Sequence, residues 1–96
     1  MNPMKLCIPK VSNQTSTNQI FRTFSSLNIG KVKRIIENPL RANQEFKRIV
    51  ISIDWDNSNP LSNHIQNTLK DPTQHINIVY DMPLFWQIFA ANPQKW

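Results

Sequence analysis

Glu45-Phe46-Lys47-Arg48-Ile49-Val50-Ile51-Ser52-Ile53-Asp54-Trp55 is the stretch from which the rest of the chain is read. Its interior is β-branched almost throughout and holds no Gly or Pro, the pattern of a strand buried centrally in a sheet. Ile49, Ile51 and Ile53 alternate onto one face, while Arg48, Val50 and Ser52 take the other. One face therefore reads as core and the other as a working or covered surface.

The flanking sequence supplies partners for that strand. Lys5–Ile8 reads as a strand with Leu6 and Ile8 on one side and Lys5 and Cys7 on the other, ended by Pro9. A helix follows from an N-cap at Thr15, with Ile20, Phe21, Phe24 and Leu27 on one face, and should stop near Asn28 before Gly30. Lys31–Ile36 reads as a second, outer strand. Val32 and Ile35 are three apart, so a bulge is needed to turn both inward. Residues 37–44 contain Pro39 and Asn43 and read as a loop.

Beyond the central strand, Asn59-Pro60 is a helix start: Asn caps the orphan N–H groups, and Pro sits where its missing N–H costs nothing. Leu61, Ile65 and Leu69 recur every four residues, and Asp71-Pro72 stops the helix. His75–Tyr80 reads as a fourth strand. The order β-α-β-β-α-β predicts an α+β, ferredoxin-like sandwich: a four-stranded antiparallel sheet with two helices on one face. This assigns residues 5–81 to one domain and 82–96 to an aromatic-rich C-terminal extension. The extension contains Leu84, Phe85, Trp86, Ile88, Phe89 and Trp96, and must pack on the domain or on a partner.

Composition narrows the function classes. At 96 residues and a net charge of +5, the chain is one domain with a basic bias. Residues 1–50 hold nine Lys/Arg against two Asp/Glu, whereas 51–96 hold two against four. A basic half suits a polyanionic partner, although plain solubility accounts for the same charge. The lone Cys7 excludes an intrachain disulfide and fits a reducing, intracellular compartment. Cys7, His64 and His75 lack metal-ligand spacing. With Gly30 as the one glycine, Gly-rich phosphate loops are excluded. No leader-like apolar segment or run of about 18 apolar residues appears, so neither secretion nor membrane insertion is expected. Asp54 and Asp56 sit at a strand end, where Asp is ordinary turn chemistry. No catalytic constellation emerges, no cofactor is implied, and the chain reads as a non-enzyme.

With the element order in place, the chain resembles an RNA-recognition motif over residues 5–80. Leu6-Cys7-Ile8-Pro9-Lys10-Val11 matches the spacing of that family's first-strand motif. In its third-strand motif, Lys47, Ile49, Ile51 and Ile53 take the inward places and Phe46, Arg48, Val50 and Ser52 the outward ones. Gly30-Lys31-Val32-Lys33-Arg34-Ile35 resembles the entry into the second strand. The resemblance implies a non-enzymatic module that binds RNA or another single strand by stacking bases on exposed aromatics. The usual stacking positions here are Cys7, Arg48 and Val50, so the face reads as basic and aromatic-poor.

A narrower similarity rests on 27–32, Phe46-Lys47-Arg48 and Ile78-Val79-Tyr80-Asp81-Met82-Pro83-Leu84-Phe85-Trp86. These stretches look like small RRM-like proteins of large double-stranded DNA viruses. That likeness implies a viral protein in host cytoplasm, nucleus or virion.

The nucleic-acid site expected from these patterns comprises Lys5, Cys7, Lys31, Lys33, Phe46, Arg48 and Val50. Lys10, Arg34, Arg41 and Lys47 read as solubility charges rather than dispersed phosphate contacts. The competing reading is a protein-interaction or assembly module, a homodimer or a partner-binding protein, that uses Phe85, Trp86 and Phe89 of the tail. Trp55 and Trp86 are each more commonly packing residues than binding aromatics.

Overall fold

A computed structural model describes residues 4–91. Seven elements follow in order: β1 (Lys5–Ser12), α1 (Thr17–Ser26), β2 (Gly30–Pro39), β3 (Phe46–Trp55), α2 (Pro60–Leu69), β4 (Ile76–Asp81) and β5 (Leu84–Ala90). The protein is α+β, with a five-stranded antiparallel sheet in the order β2-β3-β1-β5-β4 and two helices. The expectation of four strands is therefore corrected to five. Residues 84–90, expected as an extension, form a strand between β1 and β4. Trp96 lies outside the described residues.

Local chemistry explains most boundaries. The α1 cap is Ser16 rather than Thr15: its hydroxyl accepts the Gln19 N–H at 3.1 Å. Asn28 ends that helix in the left-handed region at φ 56°. Asn59 caps α2 by accepting the Leu61 N–H at 2.8 Å, with Pro60 at the first helical position.

The predicted bulge in β2 is present. The β2–β3 register shifts between Val32 and Arg34, so Val32 faces Ile53 and Ile35 faces Ile51 on the core side. Pairing continues to Pro39, through part of the stretch expected as a loop. β1 also outruns its expected end. A second register shift, between Ile8 and Val11, places Pro9 and Lys10 opposite the single residue Arg48. A bulge absorbs the proline, whose missing N–H would otherwise break the ladder.

The core joins one face of the sheet to both helices. Leu6, Ile8, Val11, Ile49, Ile51 and Ile53 pack with Ile20, Phe24, Ile65 and Leu69, and β4–β5 add Ile78, Trp86 and Ile88. Trp86 is only 5% exposed and lies against Tyr80, with ring centroids 4.2 Å apart. Its ring is parallel to that of Phe24 on α1, at 6.3 Å. Phe21 and Leu61, assigned to inward helix faces, are instead exposed, because each sits at the margin of its helix's apolar stripe.

Candidate nucleic-acid interface

Directly opposed residues of antiparallel strands project onto the same face. The registers therefore give the outward face of the sheet row by row. Arg34, Ser52 and Lys5 form one row across β2, β3 and β1. Ile36, Val50, Cys7 and Phe89 form the next, across β2, β3, β1 and β5. Asn38, Arg48 and the bulged pair Pro9–Lys10 form the third. On β4 and β5, Asn77 lies opposite Gln87 and Val79 opposite Phe85. His75, just before β4, sets its ring 5.4 Å from that of Phe89.

Lys10 crosses this surface. Its ammonium lies 4.2 Å from the centroid of the Phe46 ring, a cation–π arrangement. Lys5, Lys10 and Arg34 are exposed, and Arg48 is half-buried. Cys7 and Val50 occupy the middle of the face but are 4% and 8% exposed, so they form its floor rather than its contact surface. Burial raises the Cys7 thiol above its ordinary pKa, against a smaller lowering by the Arg48 guanidinium. The thiol is thus neutral at neutral pH and not nucleophilic.

The expected site residues separate accordingly. Lys5, Phe46 and Arg48 share the outward face with Cys7 and Val50. Lys31 is exposed opposite Asp54, near the end of β3. Lys33 falls in the β2 bulge and has no opposite residue in β3; Arg34 takes the place beside Ser52 instead. Lys47 is buried on the core side. Its ammonium donates to the Thr15 carbonyl at 2.6 Å and pairs with Glu37, so it is structural and not a surface charge.

Trp86 is likewise corrected. As a partner contact it would need to be exposed, but β5 turns it into the core between Tyr80 and Phe24. Phe85 and Phe89, of opposite parity along the strand, are turned outward. These two aromatics, expected as partner contacts, lie on the same face as the basic residues, together with His75, Lys10 and Arg34, which sequence patterning left outside the site. The signal was the parity of Trp86 and Ile88: once these are inward, Phe85 and Phe89 must be outward.

Two concavities adjoin the sheet. One, of about 290 Å³, is lined by Pro9, Lys10, Phe85, Trp86 and Gln87. The other, of about 440 Å³, is lined by Asn28, Gly30, Lys31, Asp54, Trp55 and Asp56. In the second, the Trp55 Nε1–H is used by the Met4 carbonyl at 2.9 Å. Asp56 accepts both the hydroxyl and the N–H of Ser58, which hold its carboxyl below the ordinary value. That is turn chemistry. Among the described residues no group of three or more His, Cys, Asp or Glu side chains could hold a metal. Nor is any helix among them long and apolar enough to cross a membrane.

Comparison with known proteins finds no family model, no curated protein and no solved structure that matches this chain. The functional reading rests on the residues themselves.

Proposed function

We propose that the protein is a non-enzymatic, RRM-like module that binds single-stranded nucleic acid, RNA foremost, on the outward face of its sheet. The observation that carries this reading is that β5 brings Phe85 and Phe89 onto the face that already holds Lys5, Arg34, Arg48 and Lys10. Aromatic faces stack bases whatever their identity, and cations track the phosphates between them. The aromatics come from β5 rather than from the family's usual positions on β1 and β3.

Strand directions support the same kinship. β3 and β5 are both antiparallel to β1, and so parallel to each other. In a ferredoxin-like sheet the last strand stands beside β1 with this direction. β5 fills that role, and β4 is an addition outside it.

The test is fluorescence anisotropy with labelled single-stranded RNA, single-stranded DNA and duplex, at low and near-physiological salt. Single-strand preference that persists at physiological salt, and is lost in a folded Lys5→Glu/Arg48→Glu double variant, is the expected result. Equal affinity for duplex, or no effect of the double variant, sinks the proposal.

One observation favours a second reading, assembly through the β4–β5 hairpin. Val79, Met82, Leu84 and Phe85 are all large, apolar and exposed there, at an edge of the sheet. Sedimentation velocity across a hundredfold concentration range decides it. A concentration-dependent dimer that Leu84→Asp dissolves would support this reading, and a monomer throughout would remove it.

A further inference from the structure

The ladder between β1 and β5 is short. It pairs Leu6 with Ala90 and Cys7 with Phe89, with the Ala91 N–H donating to the Lys5 carbonyl at 2.8 Å just beyond. Continued in the same register, it would set Pro9 against Gln87 and Lys10 against Trp86. No such pairs form. Those four residues, with Phe85, instead line the concavity of about 290 Å³. The cause lies in β1. Pro9 has no N–H to give to β5, and the bulge that sets Pro9 and Lys10 opposite Arg48 bends the strand. The paired ladder stops at Cys7 and Phe89, and an opening lies over the two strands where it would continue.

We propose that this opening is a pocket for one nucleobase of the bound strand, turned out of the stack and held against residues of both β1 and β5. The proposal rests on the reading of the outward face as a strand-binding surface, and deepens it by naming where one base goes.

Three features fit this occupant. The volume lies at the lower limit of small-molecule sites, suited to a single planar ring system rather than a whole cofactor. The walls combine a stacking surface, Phe85, with the Gln87 side-chain amide, which both donates and accepts hydrogen bonds as the edge of a base requires. The charge is complementary: Lys10 stands on the rim, its ammonium over Phe46, where it can neutralise the phosphate of the nucleotide that enters. A base in the opening would also continue the outward face, because Phe85 and Gln87 belong to it.

The test uses the full chain and two probes. In the first arm, ¹⁵N-labelled protein is titrated with adenosine 5′-monophosphate and, in parallel, with ribose 5-phosphate. Saturable shifts at the amides of Lys10, Trp86 and Gln87 are expected with the nucleotide alone. In the second arm, a single-stranded RNA hexamer is bound to wild type and to Gln87→Trp, in which an exposed side chain is enlarged to fill the opening. Gln87→Trp should abolish the nucleotide-specific shifts and weaken the hexamer about five- to tenfold, the loss of one stacked base. Phe85→Ala, which removes one wall, should act in the same direction.

Equal shifts from both small probes, or unsaturated shifts spread over Lys5 and Arg34, would overturn the pocket. So would a hexamer affinity unchanged by Gln87→Trp, which would leave the face reading intact. Nucleotide-specific shifts at the pocket without any hexamer binding would keep the pocket and discard the face.

Discussion

Phe89 lies directly across from Cys7 on the β5 side, as Val50 does on the β3 side. This relationship joins a strand from late in the chain to the middle of a basic face. A small, buried thiol and a valine form the floor, and a large half-exposed ring rises beside them. The aromatic ring that is absent from the middle of β1 and β3 is supplied by β5, the strand beside β1.

Arg48 and Lys47 are adjacent in sequence and opposite in role. Arg48→Met should weaken single-strand binding about tenfold, the scale of one charge-assisted contact of roughly 1.5 kcal/mol. Lys47→Met should leave binding unchanged but take the donor from the Thr15 carbonyl, at a cost of about 1–3 kcal/mol. Anisotropy and urea denaturation on both variants check the pair. Equal loss of affinity in the two would refute the assignment of faces.

Trp86→Ala should cost about 3–5 kcal/mol, the range for deleting a buried aromatic. A domain of this size is stable by about 5–15 kcal/mol, so the variant is marginal or unfolded. Urea titration followed by circular dichroism measures it. Trp86→Phe keeps a ring against Tyr80 and should retain most of the stability.

Gly30 has φ 152°, and a Cβ there would run into the Asp54 carbonyl oxygen and lie 2.9 Å from the Trp55 Cα. These are backbone atoms of the central strand and cannot swing aside. Gly30→Ala should therefore destabilise by more than about 1 kcal/mol. An unchanged thermal midpoint would contradict the tight β2–β3 approach.

Cys7 gives a pH signature. Its pKa is raised in the folded state from an ordinary value of 9.0, chiefly by burial. The folded protein therefore holds the thiol proton more tightly than the unfolded chain. That contribution is present in full below pH 9 and is lost as pH rises through the raised folded value. Stability curves of wild type and Cys7→Ser should diverge only on the alkaline side of pH 9. At pH 7.5 a thiol reagent should react with the native protein far more slowly than with the unfolded one.

Much of this was legible in the sequence because the signals were local. Asn59-Pro60 places a cap and a helical proline side by side, and the spacing of Val32 and Ile35 demands a bulge. β5 was not legible because Leu84, Phe85, Trp86, Ile88 and Phe89 fill both faces of the strand, so no alternation marks it. Its slot beside β1 is a long-range choice that neighbouring residues do not encode. Pro9 misled for a related reason: alone it reads as a stop, yet with Lys10 opposite Arg48 it is a bend inside a longer strand. The candidate site inherited the error, since Phe85 and Phe89 ride on β5.

The position of β5 also bears on the order in which the protein can be made. During synthesis β1 leaves the ribosome first, but the neighbour that covers one side of it is the last strand described. Until then one edge of β1 stays unpaired, and Leu6 and Phe24 wait for Trp86 and Ile88. Such distant pairing slows folding and leaves a sticky intermediate exposed. A nascent chain stalled before residue 84 should thus remain protease-sensitive and chaperone-bound, and should become compact only when β5 clears the exit tunnel.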